Sequence, residues 1–201
     1  MQKIAIFGGT FNPVHNGHMH LAQQFSARIG FDRVIFIPTH VPPHKQAPEL
    51  ASASHRLNMC RLAAREYGYE VSDIEINREG PSYTADTLAQ MKDMYPNDEL
   101  YMITGADMFL TIQNWRNPRQ IFTLATICAA PRSRQGYEEL LTHAKELESF
   151  GAHSIIENIE YLPVSSTMVR TAVKAGESIA DLVPHSVADY IEQNKLYRED
   201  L

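Results

Sequence analysis

The fold is decided by the stretch Lys3-Ile4-Ala5-Ile6-Phe7-Gly8-Gly9-Thr10-Phe11-Asn12-Pro13-Val14-His15-Asn16-Gly17-His18. Its apolar first half ends in a glycine pair, which is typical of a buried parallel strand that stops abruptly. Gly8 and Gly9 carry no Cβ, so a ligand or another backbone segment can approach the chain closely there. Apolar residues then recur at helical spacing until Gly30, a suitable helix stop. This order predicts helix N-terminal amides after the turn, where a phosphate binds favourably.

The segments that follow predict an α/β fold. A second apolar strand at 33–38 completes a βαβ unit, whose crossover is right-handed. Further strands are predicted at 71–76, 99–104, 123–130 and 153–164, and helices at 52–67, 84–94, 137–150, 165–176 and 184–196. We expect a Rossmann-like open parallel sheet with helices on both faces, in a single domain spanning 1–201. A small helical piece from about 165 to 201 is expected to close the chain.

Length and composition favour one globular domain. The 201 residues are 44% hydrophobic, which is enough for a sizeable core. The formal net charge of −6 argues against a general nucleic-acid binder, although local basic clusters still suit a nucleotide. Cys60 and Cys128 are isolated, which favours buried reduced thiols over a disulfide or zinc site. With neither a signal peptide nor a membrane-spanning run expected, a cytoplasmic protein is predicted.

The candidate chemistry of the first stretch is the pair His15-x-Gly17-His18. Two imidazoles at the mouth of such a turn can donate hydrogen bonds to phosphate oxygens, and near neutral pH they can also carry charge. The three spaced glycines of the dinucleotide fingerprint are absent, as is the Gly-Lys-Ser/Thr ending of a P-loop. Taken alone, two histidines at this spacing are as consistent with a surface pair or a weak metal site as with phosphate binding.

A second pattern follows the last predicted strand. Ser165, Ser166 and Thr167 are three consecutive hydroxyl residues, a strong signal for a helix start. Their hydroxyl and amide groups can bind an anion, and Arg170 lies about one turn along the same face. Gly176 is expected to end this helix. As a helix cap the pattern is common, but its combination with the two histidines is not.

Together, GGTFNPVHNGH and VSSTMVR resemble the nucleotidylyltransferase superfamily that carries the HxGH signature, and within it the bacterial nicotinate mononucleotide adenylyltransferases. The resemblance spans essentially the whole chain. It implies transfer of an adenylyl group from ATP to nicotinate mononucleotide, giving deamido-NAD and pyrophosphate in NAD biosynthesis. Nicotinamide mononucleotide or phosphopantetheine as the acceptor, and a non-catalytic nucleotide-binding module, are the alternatives. Mg²⁺ is expected to accompany ATP without a dedicated protein site, no nucleic-acid or membrane partner is expected, and the oligomeric state is not indicated.

The resemblance implies which residues handle ATP. His15 and His18 bind its phosphates, with His18 closest to the charge that develops at the α-phosphoryl group. Lys45, in a Pro-Pro-His-Lys loop, and Arg170 hold the β- and γ-phosphates. The expected catalytic residues are His15, His18, Lys45 and Arg170. The expected ATP-binding residues are Gly8, Gly9, Thr10, Phe11, His15, His18, Ser165, Ser166, Thr167 and Arg170.

The resemblance also implies an acceptor site. The Ser82-Tyr83-Thr84 turn holds the nicotinate end, and Trp115 stacks on the pyridine. Relatives carry an aromatic residue after this tryptophan where the chain has Arg116, whose guanidinium plane or backbone amide is the alternative contact. Asp107, after a strand and Gly105, suits ribose hydroxyls, a helix cap, or both. The expected substrate-binding residues are Asn12, Lys45, Ser82, Tyr83, Thr84, Gly105, Asp107, Trp115, Arg116 and Arg134, with Arg132 as the alternative to Arg134.

Two further predictions concern helices. Ser82 or Thr84 is expected to cap the helix that ends at Met94. Arg56 and Arg61 are expected on the solvent face of the helix over 52–67, although Arg56 is also within reach of a phosphate.

Overall fold

The computed structural model describes residues 1–41 and 49–198. The strands are β1 (Lys3–Gly9), β2 (Arg33–Pro38), β3 (Glu70–Val71), β4 (Glu99–Gly105), β5 (Thr126–Ala130) and β6 (Ser154–Ile156). The helices are α1 (Asn16–Ile29), α2 (Ala53–Glu66), α3 (Thr84–Met94), α4 (Ala106–Phe109), α5 (Pro118–Leu124), α6 (Arg134–Glu148), α7 (Ser166–Ala175) and α8 (His185–Gln193). A 3₁₀ turn covers Ile112–Asn114.

The strands form one six-stranded sheet in the order β3-β2-β1-β4-β5-β6. The register is parallel where β1 meets β4, with Ala5 opposite Tyr101, and where β4 meets β5, with Met102 opposite Ile127. The side chains of β1 from Ile4 to Phe7 are at most 5% exposed, as expected for a central parallel strand. The predicted Rossmann-like α/β fold is confirmed.

The chain divides into two compact units. The first contains Met1–Gly8, Leu21–Ile35 and Ser82–Tyr161, and the second contains Gly9–His20, Phe36–Pro81 and Leu162–Leu201. Each unit has its own buried apolar side chains. In the first unit they include Leu88, Ile103, Phe109, Ile121 and Ile127, and in the second Val14, Met19, Met59, Val169 and Ile191.

The prediction of a strand over 71–76 is wrong beyond Val71. The Ser72 amide still donates to Phe36 O at 2.9 Å, but the Ser72 hydroxyl accepts from the Ile74 amide at 3.3 Å. A serine that bonds the main chain two residues ahead offers the backbone an alternative to the sheet. The following residues accordingly form turns rather than a strand.

The predicted strand over 123–130 is correct only from Thr126. It is preceded by α5, which begins at Pro118, a residue suited to the first helical position because it lacks an N–H. The short apolar run of α5 and β5 carries no periodicity that separates a helix from a strand.

The predicted cap of α3 is also wrong. Tyr83 occupies the N-cap without a side-chain hydrogen bond to the helix, and Thr84 is already the first helical residue. Ser82, the other residue predicted as the cap, precedes the N-cap and is only 5% exposed.

Within the described ranges 1–41 and 49–198, no helix has both the length and the apolar character needed to span a bilayer.

Gly176 ends α7 as predicted, and its φ of 70° lies in the left-handed region. We expect Gly176→Ala to lower the free energy of unfolding by about 1–2 kcal/mol, because an L side chain strains this conformation. Gly176→Asn should lower it by less, since asparagine tolerates the left-handed region. Urea unfolding of the three proteins tests the order, and equal stability of Gly176→Ala and the parent protein would contradict it.

Candidate active site

The glycine pair opens a turn that is stabilised by the chain itself. We call residues 9–18 the histidine loop. Phe11 adopts a left-handed φ of 47°, and its ring folds back so that a Cβ on Gly9 would lie 3.0 Å from it. A Cβ on Gly8 would meet none of the described heavy atoms within 4 Å. At Gly9 the close approach is therefore made by the side chain of Phe11, whereas the prediction was a ligand or another backbone segment.

The two histidines of the loop are stacked. Their ring centroids lie 3.6 Å apart with an angle of 31° between the planes, and His15 is only 7% exposed. The His15 amide donates to Nδ1 of His18 at 3.2 Å, so Nδ1 acts as an acceptor. A neutral imidazole that accepts at Nδ1 carries its proton on Nε2. The proton of a neutral His18 ring therefore lies on Nε2.

Gly17, between the two histidines, lies close to groups on two sides. A Cβ on Gly17 would lie 3.0 Å from Nδ1 of His15 and 3.2 Å from the carbonyl oxygen of Val164. A side chain at this position would have to displace one of these groups by a few tenths of an ångström. Gly17 is therefore part of the arrangement that lets the two rings stack beside the segment leading into α7.

Helix α7 is bonded to the histidine loop. Ser165 caps the helix by accepting from the Met168 amide at 3.2 Å. Ser166 Oγ donates to the carbonyl of Pro13 at 2.8 Å, and Arg170 Nη1 donates to the carbonyl of Asn12 at 2.8 Å. The two signature patterns, far apart in sequence, form one cluster in the second unit. The structure brings together here the residues that were predicted to bind ATP phosphates, apart from Lys45, which lies outside the described residues, and Gly8, which belongs to the first unit.

Arg170 shares its anionic partner with a second cation. Its Nε lies 3.4 Å from Glu49 Oε2, and Lys174, one turn further along α7, bonds the other carboxylate oxygen. The hydrogen bond from Lys174 is the main cause that lowers the pKa of the exposed Glu49 carboxyl. Sequence reasoning missed Lys174, although its spacing from Arg170 places both on one helix face.

The predicted acceptor residues from Ser82 onward lie in the first unit. The Arg116 guanidinium lies 4.4 Å above the centre of the Tyr83 ring, a cation–π contact. Trp115 is half-buried and ends the 3₁₀ turn, with its amide donating to Ile112 O at 3.1 Å. Arg116 therefore stacks on the tyrosine of the predicted nicotinate turn.

Two other predicted residues form an ion pair. Arg132 Nη2 lies 2.9 Å from Asp107 Oδ2, and its guanidinium lies 5.8 Å from the centre of the Tyr161 ring. Asp107 lies in the first turn of α4, whose N-cap is Gly105, so the predicted role as a helix cap is wrong. Arg134 is the first residue of α6, and its side chain lies outside the described residues.

Among the side chains that the structure describes, no group of three histidine, cysteine, aspartate or glutamate residues is placed to hold a metal ion. The donors on the histidine loop and α7 are imidazole, hydroxyl and guanidinium groups, which suit an anion.

The chain matches the cytidylyltransferase-like family over residues 6–172. The chain belongs to this family. It is 41% identical over 199 residues to a probable nicotinate-nucleotide adenylyltransferase of Desulfitobacterium hafniense, covering 98% of this chain and 96% of the relative. A relative of the same name from Clostridium tetani is 38% identical over 200 residues, covering 98% of this chain and all of the relative.

Solved structures support the fold of this cytidylyltransferase-like chain. A nicotinic acid mononucleotide adenylyltransferase of Plasmodium falciparum, solved in complex with NaAD, aligns with a TM-score of 0.79 at 20% identity. The alignment covers 98% of each chain. The resemblance inferred from the two signature patterns is confirmed.

Asn12 anchors the histidine loop of this family member. Its Nδ2 donates to the carbonyl of Glu49 at 3.0 Å, and its Oδ1 accepts from the Ala51 amide at 3.1 Å and the Tyr197 hydroxyl at 2.9 Å. Asn12 was predicted to bind substrate, and in the structure its side chain makes these hydrogen bonds within the chain. Tyr197 was not among the predicted site residues.

Burial lowers the pKa of His15 to about 4. In the described part of the chain, its buried Nδ1 has no hydrogen-bond partner, which also disfavours the doubly protonated ring. The expectation that the histidines can carry charge near neutral pH is therefore wrong for His15. It acts as a neutral imidazole, and the positive charge of this cluster comes from Arg170 and Lys174.

The buried imidazole makes stability depend on pH. As the pH falls from 6.5 toward 4, the unfolded chain takes up a proton at His15 that the folded chain does not, so stability is lost on acidification. Between pH 7 and pH 5, the unfolding free energy of the parent protein should fall by about 2 kcal/mol more than that of His15→Asn. His185→Asn, at an exposed histidine, is the control and should retain the fall. Urea unfolding at both pH values measures it, and an equal fall in His15→Asn would contradict the assignment.

Proposed function

We propose that this chain is a nicotinate-nucleotide adenylyltransferase, which joins ATP to nicotinate mononucleotide and releases pyrophosphate with deamido-NAD. The observation that carries the proposal is the cluster in which α7 bonds the histidine loop through Ser166 and Arg170. Near full-length similarity to relatives of that name supports the same activity.

The chemistry requires no protein nucleophile. A phosphate oxygen of the mononucleotide attacks the α-phosphorus of ATP, the bond from the α-phosphorus to the bridging oxygen breaks, and pyrophosphate leaves. Catalysis then consists mainly of positioning and of stabilising the developing charge. In our proposal, the Nε2–H of His18 donates to an α-phosphoryl oxygen. The main-chain amide of His15 orients the His18 ring by donating a hydrogen bond to its Nδ1.

The remaining phosphate oxygens are assigned to the start of α7. Arg170 and the hydroxyls of Ser165–Thr167 hold the β- and γ-phosphates, and Lys45 supplies a further cation. The N-terminus of a ten-residue helix adds a favourable dipole. Mg²⁺ would arrive as MgATP and neutralise part of the triphosphate charge, since magnesium commonly binds through substrate phosphates with few protein ligands.

The acceptor is assigned to the first unit. Trp115 offers an aromatic face for the pyridine ring, and Arg116 adds positive charge beside Tyr83 at the N-terminus of α3. A cation and a helix N-terminus both favour a carboxylate over a neutral amide, which supports nicotinate as the substrate. Asp107 suits ribose hydroxyls, and the alternative between Arg132 and Arg134 for the substrate phosphate stays open.

The deciding experiment is pyrophosphate release from MgATP with nicotinate mononucleotide, nicotinamide mononucleotide or phosphopantetheine as the acceptor. We expect strong preference for nicotinate mononucleotide. Turnover only with another acceptor would overturn the pocket assignment while keeping the reaction. ATP binding without turnover on any acceptor would instead favour a non-catalytic nucleotide-binding module.

His18→Ala tests the role of the donor. Its loss should lower kcat by about 10²–10³-fold, because a hydrogen bond to the developing charge disappears. Circular dichroism and urea unfolding show whether the variant is folded, and His185→Ala controls for removal of an exposed histidine. A folded His18→Ala protein with near-normal turnover would rule out the assignment.

A further inference from the structure

A fully buried arginine lies directly behind the histidine loop. Arg56 belongs to α2 and is 1% exposed, whereas sequence reasoning placed it on the solvent face. A buried guanidinium is costly unless its N–H groups are hydrogen-bonded. The prediction of a solvent-facing Arg56 is wrong, and burial to this degree also excludes its alternative role in touching a phosphate.

The donors of Arg56 bind three main-chain carbonyls. Nη1 donates to Thr10 O at 2.8 Å, Nε to Ala51 O at 3.0 Å and Nη2 to His40 O at 3.2 Å. Thr10 lies in the histidine loop, His40 follows β2 and Ala51 precedes α2. One planar guanidinium thus joins three separate segments, a geometry that a lysine ammonium on its flexible stem cannot reproduce.

These bonds surround a strained residue. A non-glycine residue at the φ of Phe11, 47°, costs about 1–3 kcal/mol and persists only where its surroundings hold it. Arg56 holds the carbonyl of the residue before Phe11, and Asn12 is held by its own bonds after it. Ala51 belongs to both sets, because its carbonyl accepts from Arg56 and its amide donates to Asn12.

We infer that Arg56 is a positioning residue for catalysis, which fixes the main chain of the histidine loop and thereby the placement of His15 and His18. This inference rests on the proposed adenylyl transfer. Arg56 does not touch substrate. Its removal should therefore displace the His18 group that donates to the transition state, with little effect on the binding of the ground-state substrates. We expect kcat to fall while KM changes little.

The test compares Arg56→Lys, Arg56→Ala and Arg61→Ala. Arg61 lies on the same helix, is half-exposed and pairs with Asp73 at 3.6 Å, which makes Arg61→Ala a matched control. In the pyrophosphate-release assay, Arg56→Lys should lose about 10–100-fold in kcat with less than about threefold change in either KM. Arg61→Ala should stay within about twofold of the parent protein. Added methylguanidinium should raise the kcat of Arg56→Ala at least about tenfold and leave the kcat of Arg56→Lys unchanged.

Two results of this kinetic assay would overturn the inference. One is a folded Arg56→Lys protein with parental kcat, and the other is an equal loss of kcat in Arg61→Ala. If Arg56→Ala does not fold, Arg56→Lys alone decides.

Hydrogen exchange separates this inference from the proposed function. Amides of the histidine loop should exchange at least about tenfold faster in Arg56→Lys than in the parent protein, and at the parental rate in Arg61→Ala. If the parent protein releases no pyrophosphate, the proposed function fails. Faster exchange would then still support Arg56 as the residue that fixes the loop, whereas unchanged exchange would overturn that role.

Discussion

The arrangement of the second unit depends on how the carbonyl groups of the histidine loop are hydrogen-bonded. The loop leaves β1 through a left-handed Phe11, so its backbone carries strain that local propensity does not relieve. Arginines from two different helices donate to its carbonyls, Arg56 to Thr10 and Arg170 to Asn12. A buried carbonyl without a donor costs about 1–3 kcal/mol, so these two bonds stabilise the partly buried loop.

The same contacts divide charge and hydrogen bonding between different residues. Burial keeps His15 neutral, and its amide directs the proton of a neutral His18 to Nε2. Cationic charge is supplied instead by Arg170 and Lys174, which Glu49 holds in place by ion pairing. In the proposed adenylyl transfer, the cations hold the charge of the triphosphate while the neutral donor meets the reacting oxygen.

The differences between prediction and structure have local causes. Strands β1 and β4 are long apolar runs, and the pattern predicts them well. After β3, the Ser72 hydroxyl accepts a hydrogen bond from the Ile74 amide, which favours a turn over the predicted strand. Before β5, the apolar run begins inside helix α5, which starts at Pro118, so the predicted strand began too early. Arg56 shares its helix face with Met59 and Cys60, three and four residues on, so a stricter use of helical spacing would have predicted its burial.

The sequence by itself determined the parallel α/β fold, the family and the two signature patterns, because strand hydrophobicity, glycine turns and helix starts are properties of neighbouring residues. Only the tertiary structure decided that His15 is neutral and that Arg56 is buried against three carbonyls. It also decided that the guanidinium of Arg116 lies over the ring of Tyr83. Desolvation and hydrogen bonding depend on groups far apart along the chain, so the chemical state of each site residue emerges only once the chain is folded.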